Sequence, residues 1–328
     1  MTHPVEHLAT LIHATTPADY PESTLLTMQK RLLATLGIAL AGSRSHETGR
    51  MLSALALHKS RKGQATVWGT ELHVDRRSAA LVNGVSAHGS VHDDWSGYDA
   101  AGAAILPALF AWAEGRSTPV TGLELLHACI MGYEVIGRMQ AAWGGSAAND
   151  THVPQPGAYG VYGAATAVCV IHRAKAGAIA QALAIACAYA GGTRYSTDSS
   201  HTQKLQTGRA AEGGYMAAQL TATGYSGTTA VFDPVLWDSV VQTYAGAHAD
   251  PTVPSADYGV CWQVDTAFGR PPYMLDDAAV TATFMGLVGP VIPVPQAEAL
   301  VVAVHELPRA RSIQPLIDLL SVSVKNQQ

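Results

Sequence analysis

Apolar residues recur at the three- and four-residue spacing of an α-helix along most of this chain, and this periodicity limits what the chain can fold into. In the first clear run Leu25, Leu32 and Leu36 share one face and Gly42 follows, which predicts a helix over residues 23–41. The pattern therefore favours a helical fold.

Start signals locate two more helices. Asp75 can cap a helix that extends to His88, and Thr121 with Glu124 forms a capping box that opens a helix over residues 123–139. Strand signals are confined to residues 65–68. Further predicted helices cover residues 103–115, 158–172, 176–190, 209–223, 277–288, 296–305 and 312–323. Small residues recur along the middle helices, which suits close helix packing, so we predict an all-α fold.

Composition narrows the classes of partner. The chain has 20 basic and 25 acidic residues in 328, a net charge of −5, and only 14% charged residues, whereas about 25% is typical. The chain lacks the excess of basic residues that is typical of proteins that bind nucleic acid. The uncharged stretch 176–193 carries Gln181 and is alanine-rich, so it is interpreted as a buried core helix, not a membrane span. With no basic, apolar leader at the N-terminus, we expect a cytoplasmic protein.

The four cysteines are far apart and show no metal-binding spacing, so we predict reduced packing residues: Cys129, Cys169, Cys187 and Cys261.

The amino-acid composition changes clearly at one place in the chain. Residues 246–274 are rich in Pro, Asp and Gly and have no period. This stretch is either a surface excursion within one domain or the place where a second domain can be inserted. We expect a main helical domain at 1–245, this connector, and returning helices at 275–328.

Titratable side chains concentrate in three segments predicted as loops. The first, residues 88–99, contains His92, Asp93 and Tyr98, a combination that can supply a general acid and base. Alternatively, Asp93 and Asp94 cap a helix or bind backbone amides. His88, His92 and Asp93 can also be considered as metal ligands, but no HExxH or HxH spacing accompanies them, and we predict no metal.

The second segment, residues 151–160, is stiffened by Pro154 and Pro156 and carries His152, which either faces a pocket or is solvated. The third, residues 195–211, brings Lys204 to the start of a helix, where the positive end of the dipole favours an anionic group. The alternative for this segment is a solvated surface loop.

Six runs of sequence, in order, carry a resemblance to a known family: LLATLGIALAGS, SAALVNGVSAHGSVHDDW, AAILPALFAWAEG, GYEVIGRM, GAYGVYGAATAV and TGRAAEGGYMAAQLTATGYSG. They resemble the MmgE/PrpD family of 2-methylcitrate dehydratases, cis-aconitate decarboxylases and iminodisuccinate epimerases. The resemblance covers most of the chain. It implies a large helical domain, an inserted α+β lid domain, a homodimer and lyase chemistry that needs no cofactor. The connector leads almost directly to the returning helices, so the lid is predicted to be missing.

The resemblance also implies which functional positions have changed. The family's Leu-Asp-Phe-Asp-Asp-Thr pattern falls on residues 90–95, where Val91 and Trp95 replace an Asp and the Thr. Its His-Pro-Ser falls on residues 100–102, so Ala100 stands where a catalytic imidazole is expected. Its His-Pro-Thr falls near Pro154, with His152 displaced by two positions.

The family's Lys-x-Leu-His-x-Gly pattern falls on residues 203–208. Gln203 and Gln206 stand in place of its Lys and His, and Lys204 lies one position later than the family's lysine. We therefore predict a more apolar and more open pocket than a citrate-like acid requires. The predicted lining residues are Val91, Trp95, Ala100, Pro154, Tyr159, Gln203 and Gln206.

The preferred hypothesis is a repurposed enzyme that cyclises, isomerises or eliminates from a relatively apolar metabolite, in secondary metabolism and without a cofactor. Its predicted proton-transfer and hydrogen-bonding groups are His92, Asp93, Tyr98, His152 and Lys204. The second hypothesis is a conventional hydro-lyase or decarboxylase acting on a small carboxylate. The third is a catalytically silent relative that acts as a partner or regulator. In the absence of a GxGxxG or P-loop motif, no nucleotide cofactor is implied.

Overall fold

A computed structural model describes residues 3–57, 62–89, 100–142, 155–192, 201–245 and 276–322. The described α-helices are α1 Pro4–Ala14, α2 Glu22–Gly42, α3 His46–Ala54, α4 Arg76–Ala87, α5 Ala101–Ala113, α6 Gly122–Ala142, α7 Gln155–Ile171, α8 Ala176–Ala186, α9 Thr202–Ala222, α10 Pro234–Ala245, α11 Asp277–Val288, α12 Val294–His305 and α13 Gln314–Asp318. Short 3₁₀ turns cover Pro17–Asp19, Thr229–Phe232 and Leu307–Arg309. The prediction of an all-α fold is confirmed.

Two strands form a small antiparallel hairpin beside the helices. Strand β1 (Ala65–Thr66) pairs with β2 (His73–Val74), and Ala65 lies opposite Val74. The side chain of Glu114, at the end of α5, accepts hydrogen bonds from the backbone N–H and the hydroxyl of Thr66 at 2.7 and 2.6 Å. The predicted strand at 65–68 is therefore present but shorter, and the hairpin is held against the end of α5.

Helices α5 and α7 form the centre of the molecule. All thirteen residues of α5 are buried, and α7 packs against α5, α6, α8 and α9. Close packing here depends on small side chains. A Cβ added to Gly160 of α7 would lie 2.9 Å from the Cβ of Ala104 in α5 and 3.3 Å from that of Ala210 in α9. The alanine- and glycine-rich middle of the sequence thus allows three helix backbones to approach one another.

These three central helices run in the same direction. Gly160, Ala104 and Ala210 all lie in the first half of their helices and meet one another. At the other end, Trp112 of α5, His172 after α7 and the last residues of α9 line one small cavity. The N-termini of α5, α7 and α9 therefore lie at one end of the core, and their C-termini lie at the opposite end.

The C-terminal helices pack onto the rest of the described chain. Helix α11 lies against α2, where the ring of buried Phe284 fills the space next to Gly37. Backbone hydrogen bonds join Gly69 N–H to the carbonyl of Leu320 at 2.9 Å and Val322 N–H to that of Thr70 at 3.1 Å. Residues 276–322 thus share a core with the preceding helices. No described helix is both long enough and apolar enough to cross a membrane.

Helix boundaries show where the sequence patterns were insufficient. Helices α1, α3 and α10 were not predicted, and the predicted helix at 312–323 is only the five-residue α13. The third polar segment was predicted as a loop that leads to a helix from residue 209, but α9 already begins at Thr202. That prediction was wrong because the first turns of α9 carry mainly polar residues whose helical conformation depends on packing against α4.

Candidate functional site

The described parts of the three polar segments meet at the end of the core where α5, α7 and α9 begin. The C-terminus of α4 lies at the same end, since a Cβ on Gly84 of α4 would lie 2.8 Å from the Cα of Gly208 in α9. Free N–H groups at helix starts, together with the helix dipole, favour an anion or the oxygen of a polarised carbonyl. The described parts of the three predicted segments therefore lie close together, although they are far apart along the chain.

His88 forms one wall of this site. It follows α4 and is buried, and its Nδ1 lies 2.6 Å from the hydroxyl oxygen of Thr207 in α9. Thr207 is itself fully buried. The pair fixes the end of α4 against the start of α9. Among the described residues no group of three or more His, Cys, Asp or Glu side chains is arranged to hold a metal ion.

Lys204 is held by an ion pair that sequence analysis missed. Its Nζ lies 2.7 Å from Oε1 of Glu47 and donates to the carbonyl of Gly89 at 3.3 Å. Only about a fifth of each side chain is exposed. The hydrogen bond from Lys204 is the main cause that lowers the pKa of the Glu47 carboxyl below its ordinary value, and burial opposes it. The ammonium therefore already has a counterion within the protein.

Glu47 lies in the first turn of α3, a helix that starts at a side-chain cap. The Ser45 hydroxyl accepts a hydrogen bond from Thr48 N–H at 3.2 Å, and the Thr48 hydroxyl donates to the carbonyl of Gly42 at 2.9 Å. His201 Nδ1 also lies 3.4 Å from Oε1 of Glu47. Helix α3 was not predicted from the sequence. Its approach to α9 was not visible, because 157 positions separate Glu47 from Lys204.

Gln206 packs the start of α9 against the start of α7, where Tyr159 also lies. The Gln206 side chain lies against Gly157 and Gly192, where an added Cβ would be 3.1 Å from its Oε1 and 2.8 Å from its Cδ, respectively. Tyr159 is buried, and burial raises the pKa of its hydroxyl. Burial therefore favours the protonated hydroxyl, which can donate or accept a hydrogen bond.

Ala100 stands at the start of α5 in a left-handed backbone conformation, with φ 53° and ψ 33°. This conformation is costly for any residue with a Cβ, and it places a buried methyl group where the family resemblance implies an imidazole. Gln203 is exposed on the first turn of α9. Both residues lie at the end of the core where α5, α7 and α9 begin, but neither supplies a titratable group.

The remaining predicted site residues lie outside the described residues. They are the proton-transfer candidates His92, Asp93, Tyr98 and His152, and the lining candidates Val91, Trp95 and Pro154. Their roles stay predictions. The described residues thus contribute five members of the predicted set: Ala100, Tyr159, Gln203, Lys204 and Gln206. They add His88, Thr207 and Glu47.

Comparison with known proteins agrees with the resemblance found in the sequence. Cis-aconitate decarboxylase from Homo sapiens is 32% identical over 234 residues, which are 70% of this chain and 48% of that protein. The cis-aconitate decarboxylase-like protein oryM from Aspergillus oryzae is 28% identical over 226 residues, 66% of this chain and 46% of that protein. The matched region is about half the length of either relative. Residues 6–245 match the MmgE/PrpD N-terminal domain, and the chain therefore belongs to the MmgE/PrpD family.

Proposed function

We propose that this chain is a repurposed MmgE/PrpD enzyme with lyase-like chemistry that acts on a relatively apolar, weakly charged metabolite. The reaction is a cofactor-free cyclisation, isomerisation or elimination, and we place it in secondary metabolism. The proposal includes a homodimer in the cytoplasm and a helical domain at 1–245 without the family's lid. Relatives named for cis-aconitate decarboxylation support the general class of chemistry.

One observation carries the choice of substrate class: Lys204, the single cation among the described site residues, is neutralised by Glu47 at 2.7 Å. Where the family resemblance implies basic groups, the described residues are Ala100, Gln203 and Gln206. A trianion in such a site would lose its hydration without gaining an ion pair. The site is therefore better suited to a neutral substrate.

The described groups indicate how such a substrate would be held. The starts of α5, α7 and α9 present backbone N–H groups that can polarise the carbonyl oxygen of an enone. Protonated Tyr159 can add a hydrogen bond. His92, Asp93, Tyr98, His152 and Lys204 are the proposed proton-transfer and hydrogen-bonding groups, and Val91, Trp95 and Pro154 the proposed apolar lining. An apolar pocket that folds a flexible substrate lowers the entropic part of the barrier.

The experiment incubates the purified protein with a small-molecule extract of its host and follows product formation by mass spectrometry. The wild type should form a product that Trp95→Ala and His152→Ala form at least about tenfold more slowly, because orientation and proton transfer are each worth that much. Glu298→Gln, on the exposed surface of α12, is the matched control and should behave as wild type. Equal turnover in both site variants would remove the proposed site.

The second candidate is a decarboxylase or hydro-lyase that acts on a small carboxylate, and the 32% identity to cis-aconitate decarboxylase favours it. It requires Lys204 to leave Glu47 and bind the substrate. Release of carbon dioxide from cis-aconitate, abolished in Lys204→Ala, would establish this candidate and exclude the first.

A further inference from the structure

A cavity lies at the end of the core opposite the candidate functional site. It has a volume of about 470 Å³ and lies between the start of α4, the end of α5 and the end of α7. Arg76, Trp112, Arg116 and Arg173 are among the residues that line it. Helix α5 has thirteen residues, so the cavity is about 20 Å from the site described above.

The cavity is cationic in a chain whose net charge is −5. Three arginines line it, against the single acidic residue Glu124. The Arg173 Nε donates to Glu124 at 3.0 Å, and the carboxylate also accepts hydrogen bonds from the backbone N–H and the hydroxyl of Thr121. Glu124 is therefore occupied by Arg173 and Thr121, which leaves Arg76 and Arg116 without a carboxylate partner among the residues that line the cavity.

Arg116 is oriented by Trp112. Its guanidinium lies 3.6 Å from the centre of the indole ring, and its Nε donates to the carbonyl of Trp112 at 3.1 Å. Its two terminal nitrogens make no hydrogen bond to any described residue. Burial and, after it, repulsion from Arg76 lower the pKa of Arg116. Two like charges thus lie close together at a partly dehydrated surface, an arrangement that an anion would stabilise.

Arg76 and Trp112 line the cavity beside Arg116. Arg76 Nη2 donates to the carbonyl of Glu114 at 2.8 Å. Arg76 Nε and the indole N–H of Trp112 have no hydrogen-bond partner among the described residues. Both atoms are fully enclosed by protein, so a ligand in the cavity would bind the terminal nitrogens of Arg76 and Arg116 instead.

We propose that this cavity binds a small phosphorylated metabolite, with its phosphoryl group on Arg76 and Arg116. Guanidinium groups match the geometry of phosphate oxygens, and a tetrahedral dianion can accept hydrogen bonds from both arginines. The volume of about 470 Å³ is far larger than a phosphate ion and leaves room for an organic group against Trp112 and Val120. The site is independent of the proposed catalytic reaction.

Isothermal titration calorimetry on the full chain tests the proposal with inorganic phosphate, glycerol 3-phosphate and uncharged glycerol at constant ionic strength. Both phosphates should bind with a stoichiometry of one, the ester more tightly, and glycerol should not bind. Arg116→Gln should weaken both at least about tenfold, since charge-assisted hydrogen bonds are lost. Arg116→Lys should recover part of the affinity, and Arg50→Gln, on the exposed face of α3, should bind as wild type.

Circular dichroism establishes that each variant is folded, and Arg76→Gln serves in place of Arg116→Gln if the latter does not fold. The proposal would be overturned if the wild type did not bind phosphate. It would also be overturned if Arg116→Gln and Arg76→Gln bound phosphate as tightly as the wild type. Tighter binding of the tricarboxylate tricarballylate than of glycerol 3-phosphate, dependent on Arg116, would also overturn the assignment to phosphorylated ligands. None of these outcomes depends on turnover, so they are separate from the test of the proposed function.

Discussion

At the scale of single residues, the two ends of the core differ in whether their cationic side chains have counterions. Lys204 has Glu47 as its counterion, whereas Arg76 and Arg116 line one cavity and have no carboxylate partner among the described residues that line it. The sequence identified Lys204 as a site residue, but it could not identify Glu47 or the arginine cavity. Such pairings depend on the docking of distant helices, and local spacing carries no information about them.

Glu47 should make the stability of the folded protein fall at low pH. In the folded protein the pKa of the Glu47 carboxyl lies below its ordinary value of 4.5. Glu47 therefore adds to the free energy of unfolding above pH 4.5, and this contribution is lost as the pH falls through the folded pKa. Thermal unfolding should therefore show a lower Tm for Glu47→Gln than for wild type at pH 7 and a smaller difference near pH 3. Glu298→Gln is the exposed control and should follow the wild type throughout. A difference that does not change with pH would contradict this role.

His127 should act over a different pH range. Burial lowers the pKa of its imidazole to about 4, and its Nδ1 lies 2.5 Å from the Tyr20 hydroxyl oxygen. Between pH 6.5 and 4 only the unfolded chain takes up this proton, so wild-type stability should fall by up to about 3 kcal/mol over that range.

Chemical denaturation at several pH values measures this loss. His127→Gln should remove most of it, and His305→Gln, on the exposed surface of α12, should leave it unchanged. The assignment to His127 is wrong if His127→Gln retains the full dependence between pH 6.5 and 4.

At the scale of elements, the apolar period predicted the central helices well because their burial is nearly complete. Helix α11 was predicted with its observed bounds, and Asp75 caps α4 as expected, its carboxylate accepting from Ser78 N–H at 3.0 Å. The start of α9 was missed because a polar first turn has no period to detect. What fixes this start is the glycine contact between α4 and α9, which the sequence does not reveal.

Gly208→Ala should separate these two helices. Its added Cβ would lie 2.6 Å from the carbonyl oxygen of Leu81 and 2.7 Å from Cγ2 of Val85, so the backbone must shift. Overpacking of this kind costs about 1–3 kcal/mol, to be measured by urea unfolding. Gly286→Ala is the matched control, since its Cβ would meet nothing within 4 Å and should stabilise α11 by about 0.5–1 kcal/mol. Equal effects of the two substitutions would refute the close approach.

At the scale of the whole molecule, the C-terminal helices complete the core instead of forming a separate unit. Phe284 is 1% exposed and packs against α2, so Phe284→Ala should destabilise the protein by about 3–5 kcal/mol. Thr283→Ala, on the exposed side of α11, should have little effect. Both should unfold in a single urea transition. A second, earlier transition in Phe284→Ala would instead mean that residues 276–322 unfold independently.

The site is proposed to favour weakly charged ligands over polyanions, and a comparison of two ligands tests this proposal most directly. Isothermal titration calorimetry compares the binding of cis-aconitate with that of its neutral trimethyl ester. The Arg116→Gln variant is used so that the arginine-lined cavity does not contribute to binding. With Lys204 neutralised by Glu47, the ester should bind more tightly than the trianion, and cis-aconitate should release no carbon dioxide. Tighter binding of cis-aconitate than of its ester, with turnover that is lost in Lys204→Ala, would contradict the claim.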